Sequence, residues 1–326
     1  MLRGFMPEFI YPRDPAYVVA AILLGVLLDI AYSYHSGLAL RLHPVHTAFV
    51  MARALGKPGS SRVRGAVTWF TVMGTHLTAY GALLWVAWSV SPLAWVLAAG
   101  YVIKVSAPIK LLIDTVNGVR EAASRGDWGR AKELTQGIVR RDVSSLDEGH
   151  VLSAAVESLA ESLVDGFTSP LLYVALLGPL GGLAQRIANT LDGALGFKEG
   201  GYADVGWFSA KADTLLNYVP ARLTAALIAL LAPPATGAVL RNVVRCWLRN
   251  ARVTESVNAG HPIAAVAAAL GVTLEKPGHY TIACGDTLPC PPQVRVAVKC
   301  VALAAITWLA LTTSLTYLLH VILQYA

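Results

Sequence analysis

An all-α integral membrane protein, with about four to six transmembrane or re-entrant helices and helical cytoplasmic segments, is the fold class this sequence predicts. Three observations carry it. Hydrophobic residues fill 55% of the 326 positions and charged residues only 14%, with a mean hydropathy of +0.55. A soluble domain of this size needs more charge to cover its surface. Apolar runs long enough to cross a bilayer occupy 16–34, 66–90, 93–113 and 296–323. The polar segments 35–65 and 241–295 hold excess Lys and Arg, as the positive-inside rule expects of cytoplasmic loops beside membrane spans.

The first run is expected to stay as an anchor. The start of the chain carries Arg3, Glu8, Arg13 and Asp14 among Pro7, Pro12 and Pro15, and no small-residue cleavage site follows an apolar core, so no cleavable signal peptide is expected. Next come His43-Pro44-Val45-His46. The proline spoils the regular helical face that two metal-binding histidines would need, and a turn with a substrate-contacting His43 is expected instead. His76, His150 and His320 are read as structural. Ser91-Pro92 reads as the tight turn between the second and third runs, the third being interrupted by Lys104, Pro108 and Lys110.

Two further runs are ambiguous. Residues 167–184 are broken by Gly178-Pro179 and Gly181-Gly182, and residues 215–240 carry Arg222 and Pro233-Pro234, so each reads as a re-entrant hairpin or an interfacial helix. If neither crosses, 186–213 shares the cytoplasmic side with the other polar segments, and this version is preferred. The chain is then one polytopic domain, 1–326, of the cell membrane, whose segments 35–65, 114–166, 185–214 and 241–295 build an active-site side facing the cytoplasm. The net charge of +6 is spread over loops rather than gathered in a patch with interleaved aromatics, so no nucleic-acid partner is expected. Of four cysteines, Cys284 and Cys290 flank a turn that a disulfide would suit, and the spacing does not suggest zinc.

Chemistry concentrates in the second half of the 114–166 segment. Ser145 followed by Glu148 is a capping-box pattern, predicting a helix from about Leu146 to Gly166. On it Glu157, Glu161 and Asp165 form one stripe, and residues four apart face the same way, so the three charges repel unless a cation intervenes. On an otherwise apolar helix such a stripe is either a wet face or a metal and phosphate site. Arg140 and Arg141 lie beside it, placed to hold phosphate oxygens. Further on, Asn189, Asp192, Lys198, Tyr202, Asp204, Asp213, Asn217 and Arg222 stand among glycines. Asp and Asn are hard oxygen ligands that suit Mg²⁺ on substrate phosphates, and glycines let backbone N–H groups approach an anion. The bland alternative is a Gly-rich loop with capping residues and a snorkelling arginine. The density of such groups favours a site. A Walker A motif is absent, because Lys198 is followed by Glu199 rather than Ser or Thr.

These residues, read in order, resemble a known family. His43-Pro44-Val45, Arg141-Asp142 with Leu146-Asp147-Glu148, Glu157-Ser158 with Glu161 and Asp165-Gly166, Asn189-Thr190-Leu191-Asp192, Tyr202 with Asp204, Asp213 with Leu216-Asn217, Pro220-Ala221-Arg222, Asn258-Ala259-Gly260 and Leu274-Glu275-Lys276-Pro277-Gly278 are similar to motifs of the membrane-bound adenosylcobinamide-phosphate synthases, the CbiB/CobD family. The chain departs from the family at Ala31–Leu42, which lacks the usual Gly-Asp-Pro turn, at Glu161-Ser162 and at Asp213-Thr214.

The resemblance implies an ATP-dependent amide ligase of cobalamin biosynthesis that joins adenosylcobyric acid to aminopropanol phosphate or aminopropanol, through an acyl phosphate. On that expectation Glu157, Glu161, Asp165 and Asp192 hold Mg²⁺ on the ATP phosphates, and Arg140, Arg141 and Lys198 neutralise phosphate charge. Asp204 or Asp213 takes a proton from the amine. His43, Asn189, Tyr202, Asn217 and Arg222 contact substrate or phosphate. The corrinoid is substrate rather than prosthetic group, and the implied partners are the lipid bilayer and other membrane enzymes of corrinoid assembly. Two rivals share the sequence features: an ion-coupled transporter, whose acids would lie inside spans, and a non-catalytic membrane sensor on the same scaffold.

Overall fold

The computed structural model describes residues 7–325, with side chains described through 322; residues 1–6, including Arg3 of the N-terminal stretch read for a signal peptide, lie outside the described residues. In chain order the helices are α1 (Pro15–Ala31), α2 (Gly37–Arg41), α3 (Pro44–Leu55), α4 (Arg62–Val90), α5 (Pro92–Ser106), α6 (Lys110–Ser124), α7 (Trp128–Gln136) and α8 (Glu148–Leu163). A π-helical turn, Val164–Thr168, leads into α9 (Ser169–Leu177), α10 (Pro179–Leu195), α11 (Trp207–Thr236), α12 (Leu240–Asn250) and α13 (Gly260–Leu270). Strands β1 (Thr273–Lys276) and β2 (Tyr280–Ala283) then precede α14 (Pro291–Tyr325). The chain forms two compact units: Met1–Pro108 with Asp165–Leu216 and Leu309–Ala326, and Ile109–Val164 with Asn217–Trp308.

The all-α membrane class holds. Among the described residues, four stretches are long and apolar enough to cross a bilayer: Arg62–Val90, Pro92–Ser124, Trp207–Thr236 and Pro291–Ile322. The first run, read over 16–34, is the 17-residue α1, about 26 Å long at 1.5 Å per residue and at the short end of the lengths that cross a bilayer. The 215–240 run, read as a re-entrant hairpin or an interfacial helix, lies almost wholly inside the unbroken α11, which is long and apolar enough to cross. Pro220 has no N–H for the carbonyl of Leu216 four residues back. That carbonyl accepts instead from the Tyr173 hydroxyl at 3.0 Å, which is how an apolar environment tolerates a proline in a helix.

In the first unit, α1 and α5 approach closely because both carry glycine at the contact. A Cβ on Gly25 would meet Ile103 Cγ2 at 2.8 Å, and one on Gly100 would meet Leu24 Cδ2 at 2.7 Å. Small residues give helices in lipid the van der Waals packing that replaces a hydrophobic driving force. The 167–184 run is a hairpin: α9 ends at Gly178, whose φ of +77° suits glycine, and α10 starts at Pro179. The Ser91 hydroxyl caps α5 by accepting from Ala94 N–H at 3.1 Å, the turn that Ser91-Pro92 predicts. His76 and His320 are held by backbone carbonyls at 2.7–2.9 Å, with Thr47 also on His76.

In the second unit α8 is buried on nearly all sides. Its N-cap is Asp147, accepting from His150 N–H at 2.9 Å, so the helix starts later than the Ser145–Glu148 pattern suggests. Gly166 is not its end, because the π-turn carries the chain on into α9. The hairpin β1–β2 pairs Thr273 with Ala283 and Lys276 with Tyr280, and Ser153 Oγ of α8 accepts from Glu275 N–H at 2.8 Å. Cys284 bonds Cys246 rather than Cys290, with Cα atoms 5.8 Å apart, while Cys290 is exposed and Cys300 buried. Cys246 lies on α12 and Cys284 just past β2, so the bridge closes a loop of 38 residues. Reducing it, or Cys284→Ser, is expected to lower unfolding stability by about 4 kcal/mol, read as a shift in denaturant midpoint of the detergent-solubilised protein. An unchanged midpoint would mean that the bridge constrains nothing.

Candidate functional site

The acidic stripe separates at the π-turn. Glu157 and Glu161 belong to the second unit and Asp165 to the first. The π-helical turn Val164–Thr168, with more residues per turn than an α-helix, carries Asp165.

Within the second unit Glu157 is 5% exposed and both its oxygens are engaged. Oε1 accepts from Ser153 Oγ at 2.8 Å and Arg141 Nη2 at 3.2 Å, and Oε2 from Tyr280 Oη at 2.6 Å. Burial, the Glu157 charge and hydrogen bond, and the Glu161 charge all push the Tyr280 phenol up, against Arg141, so Tyr280 remains a donor. Glu161 is exposed, as is Arg140. Arg222 donates to Tyr218 O at 2.6 Å, Asn258 Oδ1 at 3.2 Å and Val257 O at 3.3 Å, with its guanidinium over the Tyr218 ring. Asn217 is fully buried on α11.

The first unit holds a different constellation. Asn189, on α10, donates from Nδ2 to Asp165 Oδ2 and to Asp213 Oδ1, each at 3.2 Å. Arg186 lies one turn before Asn189 on the same face. Burial pulls its guanidinium below the ordinary value while Asp165 and Asp213 hold it up, and an arginine so placed stays charged. Its Nε is buried without a hydrogen-bond partner among the described residues. His43 caps α3 by accepting from Val45 N–H on Nδ1 at 3.3 Å. Its imidazole is pulled down to about 3, first by burial and then by His35, Arg186, Lys104 and His46. It is therefore neutral, with its proton on Nε2. Against His43, at 4.7 Å between ring centroids, lies His35, whose Nε2 is 2.6 Å from Lys104 Nζ. Lys104 and Asp29, 4% and 2% exposed, are the buried charges that act on His35.

The other expected residues of this unit stand apart in their contacts. Asp204 pairs with Arg62 at 3.0 Å, both exposed. Tyr202 takes Arg53 over its ring at 4.8 Å. Lys198 is exposed, and Asp192 folds back over Gly196 at the end of α10. The structure thus brings together Asp165, Asn189 and Asp213, and charge coupling places His43 near Arg186. Among the described residues no three His, Cys, Asp or Glu converge as a metal cage. Two carboxylates beside an amide do fit Mg²⁺ of the kind that keeps waters and shares substrate phosphates. Sequence reading passed over Arg186, His35, Lys104 and Asp29. The i,i+3 spacing of Arg186 and Asn189 was the available signal for the first. Charges inside the apolar runs were the signal for Lys104 and Asp29.

A helical membrane protein whose polar side chains converge within one compact unit, carboxylates around an amide and a guanidinium, defines the class. The chain belongs to the CobD/CbiB family: the family model described as CobD/Cbib protein matches residues 22–301. It is 51% identical over 285 residues, 87% of this chain and 88% of the relative, to the probable cobalamin biosynthesis protein CobD of Aeropyrum pernix. It is 34% identical to that of Methanothermobacter thermautotrophicus, over 83% of this chain and 88% of the relative. With the cobalamin biosynthesis protein CobD of Chromobacterium violaceum it shares 35% identity, over 70% and 77%. No solved structure matches the chain.

Two outcomes follow from these environments. Glu157→Gln leaves the Arg141 guanidinium, 18% exposed, without its counter-charge and should destabilise the protein by about 3 kcal/mol; thermal unfolding in detergent measures it, and a loss below about 1 kcal/mol contradicts a buried ion pair. His43 and His261, the latter held to about 4 by burial, Arg222 and Arg252, refuse in the folded state a proton that the unfolded chain accepts near pH 6.5. The stability they contribute is therefore fully present above pH 6.5 and is lost as pH falls toward 4. His261→Gln should flatten that acid limb in a melting-temperature titration, and an unchanged limb counts against the assignment.

Proposed function

We propose that this protein is an ATP-dependent acid–amine ligase of cobalamin biosynthesis. It would join the free propionate carboxylate of adenosylcobyric acid to aminopropanol phosphate, or to aminopropanol, at the membrane. The observation that carries the proposal is the Asp165–Asn189–Asp213 constellation beside Arg186, in a chain whose relatives are named cobalamin biosynthesis proteins.

The chemistry sets the requirement. A carboxylate does not accept an amine at neutral pH until one of its oxygens becomes a leaving group. Attack of the carboxylate oxygen on the γ-phosphorus of ATP releases ADP and leaves an acyl phosphate. Attack of the amine on the carbonyl carbon then forms the C–N bond and expels inorganic phosphate. Magnesium, when bound, supplies charge neutralisation on the ATP phosphates. Asp165 and Asp213 are the residues that would hold it, oriented by Asn189. Arg186 would direct its unpartnered Nε at a phosphate oxygen, and His43 would donate from Nε2 to an oxyanion, as a neutral imidazole can. With the metal held by Asp165, Asp213 would take the proton that the substrate ammonium must lose before its amine attacks. Glu157, with its oxygens already engaged, acts as a positioning residue for Arg141.

A carrier is the second reading, favoured by one observation: Asp29 and Lys104 are charges buried in apolar helices. Turnover separates the two. Purified protein given corrinoid carboxylate, ATP, Mg²⁺ and hydroxylamine should accumulate a corrinoid hydroxamate, and ATP hydrolysis should depend on the corrinoid. Asp165→Asn or Asp213→Asn should each lower both by about a hundredfold or more. No hydroxamate, or ATP hydrolysis indifferent to the corrinoid, would sink the ligase reading.

A further inference from the structure

The charge on α12 has no use in the site described above. From residue 214 to residue 254 the chain contains no Asp or Glu. In that interval Arg241, Arg245, Arg249 and Arg252 fall four, four and three residues apart, on one face of α12 and its continuation. All four are exposed, and none has a carboxylate partner in an ion pair among the described residues. Like charges at this spacing repel. A water-facing helix relieves that repulsion with interleaved acids, and here there are none.

The opposite face is fixed. Val243 packs into a cluster of Ala229, Ala232, Ala268 and Ala269, Cys246 is bonded to Cys284, and Trp247 Nε1 donates to His261 Nδ1 at 3.2 Å. The helix therefore cannot roll to hide its arginines. The exposed face is also not purely polar: Leu240 is 40% and Leu248 59% exposed. The helix starts four residues after α11, a stretch long and apolar enough to cross the bilayer, ends at Thr236, and Gly237, with φ +77°, makes the turn between them. Exposed arginines beside exposed leucines, immediately beyond a span, match the boundary between headgroups and acyl chains.

We infer that α12 is a lipid-binding surface, whose Arg241, Arg245, Arg249 and Arg252 take the phosphates of anionic phospholipid headgroups while Leu240 and Leu248 enter the acyl edge. Phosphate diesters are the acceptors that guanidinium groups engage in pairs, and a juxtamembrane cluster of four is of the size that anionic leaflets attract. The surface would fasten the end of α11 and, through the disulfide, the β1–β2 hairpin to the bilayer boundary.

The test uses the full chain in a neutral detergent, with short-chain phosphatidylglycerol, short-chain phosphatidylcholine and inorganic phosphate as probes. Phosphatidylglycerol should bind about tenfold or more tightly than phosphatidylcholine, and the preference should shrink as salt rises. Replacing all four arginines by glutamine should reduce the preference to about twofold or less, while replacing them by lysine should retain most of it. Equal binding of the two lipids to the wild type, or a salt-independent preference, overturns the inference. So does a folded glutamine variant that keeps the preference. If the glutamine variant does not fold, loss of the preference in the lysine variant is decisive against it. Displacement of the lipid by inorganic phosphate at equal concentration would assign the arginines to a free anion and likewise overturn it.

Discussion

Arg186 is the cation on which Asp165 and Asp213 converge: both carboxylates hold its guanidinium charge up against the burial that pulls it down. Both also accept from the same Asn189 amide, so the two carboxylates lie close together in partly buried surroundings. The geometry around this group follows from the need to bring four side chains from three elements to one place. The π-turn delivers Asp165, α10 carries Arg186 and Asn189 three residues apart, and the second turn of α11 supplies Asp213. Gly181 and Gly182 let α10 fold back on α9: a Cβ on Gly181 would meet Leu177 Cβ at 2.6 Å, and one on Gly182 would meet Val174 Cγ2 at 2.5 Å. Tyr173 of α9 in turn holds the Leu216 carbonyl that Pro220 releases. A glycine pair and a tyrosine, neither of them polar machinery, hold the elements that carry the charges.

Behind this group lies a second set of polar contacts with a different logic. His43 spends one nitrogen on the α3 cap, and His35 spends one on Lys104. Each neutral imidazole has its tautomer chosen by a neighbour rather than by solvent. Tyr32 lies 5.1 Å below the Lys104 ammonium, adding the attraction of its ring face to a charge that water no longer reaches. Such arrangements in apolar helices are expensive, and they persist only when the surrounding groups all satisfy one another.

How much of this was legible in the sequence depended on the range of the physics involved. Hydropathy averages over some twenty residues, so three of the spans are visible from composition alone. The fourth, α11, was obscured because Arg222 and Pro233-Pro234 interrupt its apolar run, whereas the helix continues through all three of its prolines; at Pro220 the freed Leu216 carbonyl finds the Tyr173 hydroxyl, 43 residues away. The same holds for α8: the stripe of Glu157, Glu161 and Asp165 assumes one helix to Gly166, whereas α8 ends at Leu163 and a π-turn carries Asp165. Asn189 and Asp213 were recognisable as polar residues near glycines, but their common partner was not, since convergence is a property of the tertiary fold. The Cys246–Cys284 bridge was missed because pairing follows Cα separation in space, and spacing along the chain pointed to the nearer Cys290.

The two polar groups on which the proposed chemistry could rest differ in how fully their donors and acceptors are engaged. Glu157 and Arg141 carry one charge of each sign, and the Glu157 oxygens are filled by Ser153, Arg141 and Tyr280. A closed, neutral pair of this kind specifies structure and has little attraction left for a ligand. Asp165 and Asp213 lie about one Asn189 amide beside the Arg186 guanidinium. That group keeps, in the Arg186 Nε, a buried donor without an acceptor among the described residues. A ligand that brings a cation for the carboxylates and an oxygen acceptor for the donor would complete both at once. A nucleotide phosphate with its divalent ion is such a ligand, whereas a monovalent ion alone would leave the guanidinium donor unsatisfied.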